Sequence, residues 1–128
     1  VSYVFEYNLP TNEANLFSGF LLESDNPENV SDYRYLRVVV AFNDPEAKCE
    51  VFLTDFNGVV RNFRLDGHYT DDQIKVVDNG SIRTILIPLS KFENLSAGSI
   101  KQVGFQANTN YVAGQHTVII EDVSFSKE

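Results

Sequence analysis

The apolar positions of this chain recur with a period of two, the signature of strands with one buried face. In residues 1–9, Val1, Tyr3, Phe5, Tyr7 and Leu9 fall on one face and Ser2, Glu6 and Asn8 on the other, until Pro10 stops the pairing. A second apolar stretch at 16–22 runs into the polar segment 23–29, which reads as a loop. In residues 33–43, Leu36, Val38, Val40 and Phe42 point one way, toward a core, and Tyr35, Arg37, Val39 and Ala41 point the other. Strands are predicted next at 49–56, 59–65, 73–77 and 82–88, with one helical turn at 90–94. The closing strands fall at 99–107 and 115–125.

Turn chemistry divides these runs. Asn57-Gly58 and Asn79-Gly80 each sit between apolar stretches and predict hairpins with type I′ turns. Residues 66–72 form a polar loop, and 108–114 link the last two strands. About eight to ten strands with no long amphipathic helix predict an all-β fold, a sandwich or a barrel. An immunoglobulin-type sandwich fits less well, because the chain has no Cys pair and no Trp.

At 128 residues the chain is long enough for one domain with its own core. The net charge is −8, from 18 acidic and 10 basic residues, and no Lys or Arg cluster interrupts it. That balance argues against nucleic acid and against an anionic membrane surface as partners. No apolar run reaches membrane-spanning length. The lack of any Met suggests a module taken from a longer, secreted or extracellular protein. Cys49 is alone and on an apolar strand, where a thiol behaves as a small buried hydrophobe. Asn29, Asn79 and Asn94 each begin an Asn-x-Ser/Thr sequon.

No nucleophile elbow, zinc-protease helix, phosphate loop or Cys-x-x-Cys is present. His68 and His116 are the only imidazoles, and neither has neighbours that suggest a triad. The acids around His68 read as a solvated loop. Asp55-Phe56-Asn57-Gly58 and Asp78-Asn79-Gly80 resemble calcium-loop fragments but lack the closing bidentate Glu, so they read as turns. The chain is therefore expected not to be an enzyme.

A face that binds sugar mixes aromatic rings, which stack on C–H faces, with planar polar groups that read hydroxyls. Tyr35 and Arg37 share one face of their strand. Gln102, Gly104 and Gln106 share another, too polar for a core, and Gly104 is expected to leave room for a ligand against the backbone. Asn108, Asn110 and Tyr111 extend that composition into the following loop.

From Leu36 onward the sequence resembles the jelly-roll carbohydrate-binding modules of cellulase-associated type. The marks are Tyr35-Leu36-Arg37-Val38-Val39-Val40, Ile87-Pro88-Leu89-Ser90-Lys91-Phe92, Ile100-Lys101-Gln102-Val103-Gly104-Phe105 and Val118-Ile119-Ile120-Glu121-Asp122-Val123-Ser124-Phe125, in that order. The resemblance implies an antiparallel β-sandwich of jelly-roll type. It implies a non-catalytic, polysaccharide-binding role within a larger multimodular, secreted glycoside hydrolase, with β-glucan or xyloglucan as the preferred plant-wall ligand. Tyr35 and Tyr111 would stack on sugars while Arg37, Gln102, Gln106 and Asn108 bind hydroxyls. It also implies a structural calcium held by Asp122, with Glu6 brought beside it by pairing of the first and last strands. Such modules usually stack sugars on Trp, which this chain lacks. The competing expectation is a scaffolding sandwich of a cell surface or multienzyme complex, marked by an exposed apolar patch. A small lyase or hydrolase is the third.

Overall fold

The computed structural model describes residues 3–9, 17–42, 49–65, 69–108 and 114–128. Among these, nine strands follow the period-two pattern: β1 (Tyr3–Leu9), β2 (Phe17–Glu28), β3 (Tyr35–Phe42), β4 (Cys49–Asp55), β5 (Val60–Leu65), β6 (Lys75–Asn79), β7 (Ile82–Pro88), β8 (Ile100–Asn108) and β9 (Gly114–Ser126). The helical element is a single 3-10 turn at Leu89–Lys91. Two antiparallel sheets result, ordered β1-β9-β3-β7-β6 and β2-β8-β4-β5. The chain is an antiparallel β-sandwich. Only β4–β5 and β6–β7 are joined within one sheet; every other connection crosses to the opposite sheet, the habit of a jelly roll. First and last strands pair, Tyr3 opposite Ile120 through Leu9 opposite Gly114.

Both sheets contribute to one core. Leu36, Val38 and Val40 of β3, Ile85 and Ile87 of β7, and Val118 and Ile120 of β9 meet Val51 and Leu53 of β4, Leu65 of β5 and Phe105 of β8. All are fully buried. Cys49 joins them as a packed apolar group, and burial, reinforced by the charge of Glu50, pushes its thiol pKa far above the ordinary range. A thiol held protonated in this way is a poor nucleophile.

Two local expectations need correction. The polar stretch 23–29 lies largely within β2 rather than in a loop. Between Glu23, opposite Gln102, and Glu28, opposite Ile100, the register shifts, so the polar residues are absorbed as an irregularity of the strand. The hairpins stand where Asn-Gly predicts them, but neither is type I′. Gly58 (φ 86°) and Gly80 (φ 69°) have positive φ, whereas their preceding asparagines do not. In the first hairpin, the Gly58 amide donates to the Asp55 carbonyl (3.2 Å) and the Asp55 amide to the Val59 carbonyl (3.0 Å). That is a tight turn closed by a left-handed glycine, the longer hairpin loop. In the second, Asn79 pairs with Ile82, which makes Gly80 the first of two loop residues, the position type II′ reserves for glycine.

Asp55 fastens the first hairpin to the rest of the sandwich. Its Oδ1 accepts from the amides of Asn57 (2.9 Å) and Val59 (3.0 Å), and its Oδ2 accepts from the Ser96 amide (2.9 Å). The bond from Ser96, with those from Val59 and Asn57, holds this carboxyl below the ordinary carboxylate pKa against the effect of its burial.

Candidate functional site

The outer face of the four-stranded sheet follows from the same alternation. Phe105, Val51, Leu53 and Leu65 are turned into the core, so their neighbours Gln102, Gly104 and Gln106 of β8, Glu50, Phe52 and Thr54 of β4, and Asn62 and Arg64 of β5 are turned out. Register aligns them in rows. Gln106 stands opposite Glu50 and Glu50 opposite Arg64; Gly104 opposite Phe52 and Phe52 opposite Asn62; Gln102 opposite Thr54 and Thr54 opposite Val60.

Phe52 and Gly104 fit one another. A Cβ at position 104 would lie 2.6 Å from both Cε1 and Cε2 of Phe52 and closer still to Cζ, so the far edge of the half-buried ring fills the space that a side chain would take. Gly104 thus makes room for an aromatic ring, not directly for a ligand as its sequence position suggested. Beside the ring lies a polar network. Glu50, only 6% exposed, accepts from Gln106 Nε2 (3.2 Å) on Oε1 and from Asn62 Nδ2 (3.3 Å) on Oε2. A carboxylate this buried needs such donors. Each amide spends an N–H on Glu50 and keeps its carbonyl oxygen as an acceptor for a hydroxyl. The surface combines an apolar ring with acceptors and donors fixed around it, the composition of a ligand site.

The sequence-selected residues do not form one site. Gln102 and Gln106 belong to this face of the four-stranded sheet, whereas Tyr35 and Arg37 lie on the outer face of the five-stranded sheet, across the core. Asn108 ends β8 opposite Phe17, and Tyr111 and Asn110 lie outside the described residues. Tyr35 is 3% exposed, with Arg34 Cζ and Lys75 Nζ each 5.3 Å from its ring centroid. Its ring offers no open face for stacking. Arg37 Nη1 is paired with Asp122 Oδ2 at 2.9 Å. This joins the arginine expected to read hydroxyls to the carboxylate expected to hold calcium, because Arg37 and Asp122 occupy neighbouring same-face rows of the β3–β9 ladder. Glu6 pairs with Thr117, five positions along β9 from Asp122 and on the far side of the irregularity at Glu121. The register of the first and last strands therefore does not set Glu6 beside Asp122. Among the described residues no group of three or more His, Cys, Asp or Glu is placed to hold a metal ion. His68 lies outside the described residues.

Phe52, Glu50 and Asn62 escaped the sequence reading. The signal for Glu50 and Phe52 was the alternation in 49–56, where they fall on one face with Thr54, but Gln106, opposite Glu50, is 56 residues away in sequence and only pairing reveals it.

No family model matches the chain, and no curated protein matches it. Among solved structures it is similar to PfGH50B, with a TM-score of 0.52 and 14% identity over 89% of this chain and 19% of that one. It is similar also to an exo-β-agarase, with a TM-score of 0.54 and 15% identity over 100% of this chain and 22% of that one. At such identities the likeness establishes the fold. The chain spans about a fifth of the length of those structures.

Proposed function

We propose that the chain is a non-catalytic glycan-binding module of a larger, secreted carbohydrate-active protein, and that it holds polysaccharide on the outer face of the four-stranded sheet. The observation that carries this reading is the Phe52 ring seated over Gly104 beside the Glu50–Gln106–Asn62 network. A pyranose stacks its C–H face on the ring while its hydroxyls meet the free amide oxygens and the exposed Arg64. The similar structures support the setting: an exo-β-agarase carries this fold as about a fifth of its length. β-Glucan and xyloglucan remain the preferred ligands, and agarose joins them because of that neighbour.

Affinity electrophoresis tests the reading. The purified chain is run through gels containing xyloglucan, mixed-linkage β-glucan, agarose, xylan, galactomannan or pectin, with and without chelator. Retardation by at least one neutral polymer is expected, and Phe52→Ala is expected to abolish it. Free migration through every gel would overturn the proposal and favour the scaffolding sandwich. Arg37 already occupies the carboxylate of Asp122, so we propose no calcium there and expect chelation to leave retardation unchanged.

A further inference from the structure

On the other sheet, the entry to β3, the start of β6 and the end of β7 surround a pocket of about 480 Å³, lined by Tyr33, Arg34, Tyr35, Gln73, Lys75 and the segment 88–90. That is a volume suited to a small ligand or a sugar unit. The chain has 18 acidic residues against 10 basic, yet this lining holds two cations and no acid. Neither Arg34 nor Lys75 forms an ion pair among the described residues; both lie over the Tyr35 ring instead. A third cation, Lys127, stands with Nζ 5.8 Å from the ring centroid of Tyr33, which is 41% exposed. The nearby Asp71 is not available to neutralise them, since Lys91 holds its carboxylate. Tyr35 is buried, and no described residue accepts from its hydroxyl. A buried donor left without an acceptor is costly, and a ligand oxygen would relieve it.

We propose that this pocket is a second binding site, for an anionic group, a sulfate ester or a carboxylate, carried on a saccharide. Arg34 and Lys75 supply the charge-assisted hydrogen bonds, the Tyr35 hydroxyl donates a further one, and exposed Tyr33 lies against the sugar ring. That the anion is carried on a saccharide rests on the glycan-binding reading above; its charge does not. The site uses none of the residues of the Phe52 face.

Calorimetric titration decides it. The unmodified chain is titrated with oligogalacturonate and its methyl ester, with a sulfated galactan oligosaccharide and its desulfated form, and with inorganic sulfate. In low salt, at least one charged oligosaccharide is expected to bind roughly tenfold or more tightly than its neutral form, with a preference that shrinks as salt rises. The Arg34→Gln, Lys75→Gln double variant loses that preference, and Phe52→Ala keeps it. Equal binding of charged and neutral forms would overturn the proposal. Inorganic sulfate binding as tightly as the sulfated oligosaccharide would overturn the saccharide assignment. The charged-against-neutral comparison needs no variant, so it holds even where the double variant fails to fold. Failure of the Phe52 face would appear separately, as lost binding to neutral polymers alone.

Discussion

A methyl group at position 104 would overlap the Phe52 ring, so Gly104→Ala must push that ring off its seat. The substitution is expected to cost about 1–3 kcal/mol, as overpacking does. In a Phe52→Ala background the same change should cost almost nothing. Urea denaturation of the four chains of this cycle measures the coupling, and additive costs would contradict the contact. Asp55 offers a second test. Its folded pKa lies below the unfolded value of about 3.9, so its contribution to stability is present above that pH and fades as pH falls through the lower folded value. Asp55→Asn turns an amide N–H toward a backbone donor, and its Tm should be lower at pH 7. The gap from the parent should narrow below about pH 4. At this scale the sequence shows which way a side chain points but not what meets it. Tyr35 alternates outward as expected, yet Arg34 and Lys75 cover it, and neither contact is written in the local pattern.

Among the elements, the hairpins were the most legible, because Asn-Gly encodes a local requirement for positive φ that needs no distant partner. The turn type was not, since Asn57 and Asn79 keep negative φ and leave the left-handed position to glycine alone. Gly80→Ala is expected to destabilise the fold by roughly 1–2 kcal/mol, the cost of a left-handed side chain. A fall in the urea midpoint with an unchanged slope would show it. β2 was legible only to Leu22. Beyond it composition reads as a turn, while pairing of Glu28 with Ile100 carries the strand past the irregularity. Local chemistry lost there to a long-range ladder.

For the molecule as a whole, a period of two separates inside from outside but does not say which sheet a strand joins. Arg37 and Gln106 both read correctly as outward, and they look out from opposite sides of the sandwich. Strand pairing decides this, and it joins residues tens of positions apart, such as Arg37 with Ser124 and Phe52 with Gly104. One polar face became two candidate surfaces: a ring and amide platform on the four-stranded sheet, and a basic pocket on the five-stranded one. Phe105, central to the core between them, should be indispensable. Phe105→Ala is expected to cost about 3–5 kcal/mol, seen in the urea midpoint, without selective effect on either surface.

The most direct test of the platform is an amide-resolved ¹H–¹⁵N spectrum recorded as the chain is titrated with oligosaccharides of the polymer that retards it. Shifts are expected to concentrate on Phe52, Asn62, Gln102, Gly104 and Gln106, with the side-chain amides of Asn62 and Gln106 among the largest. Neutral-sugar shifts confined to other residues, with these five unmoved, would contradict the assignment of the glycan to this face.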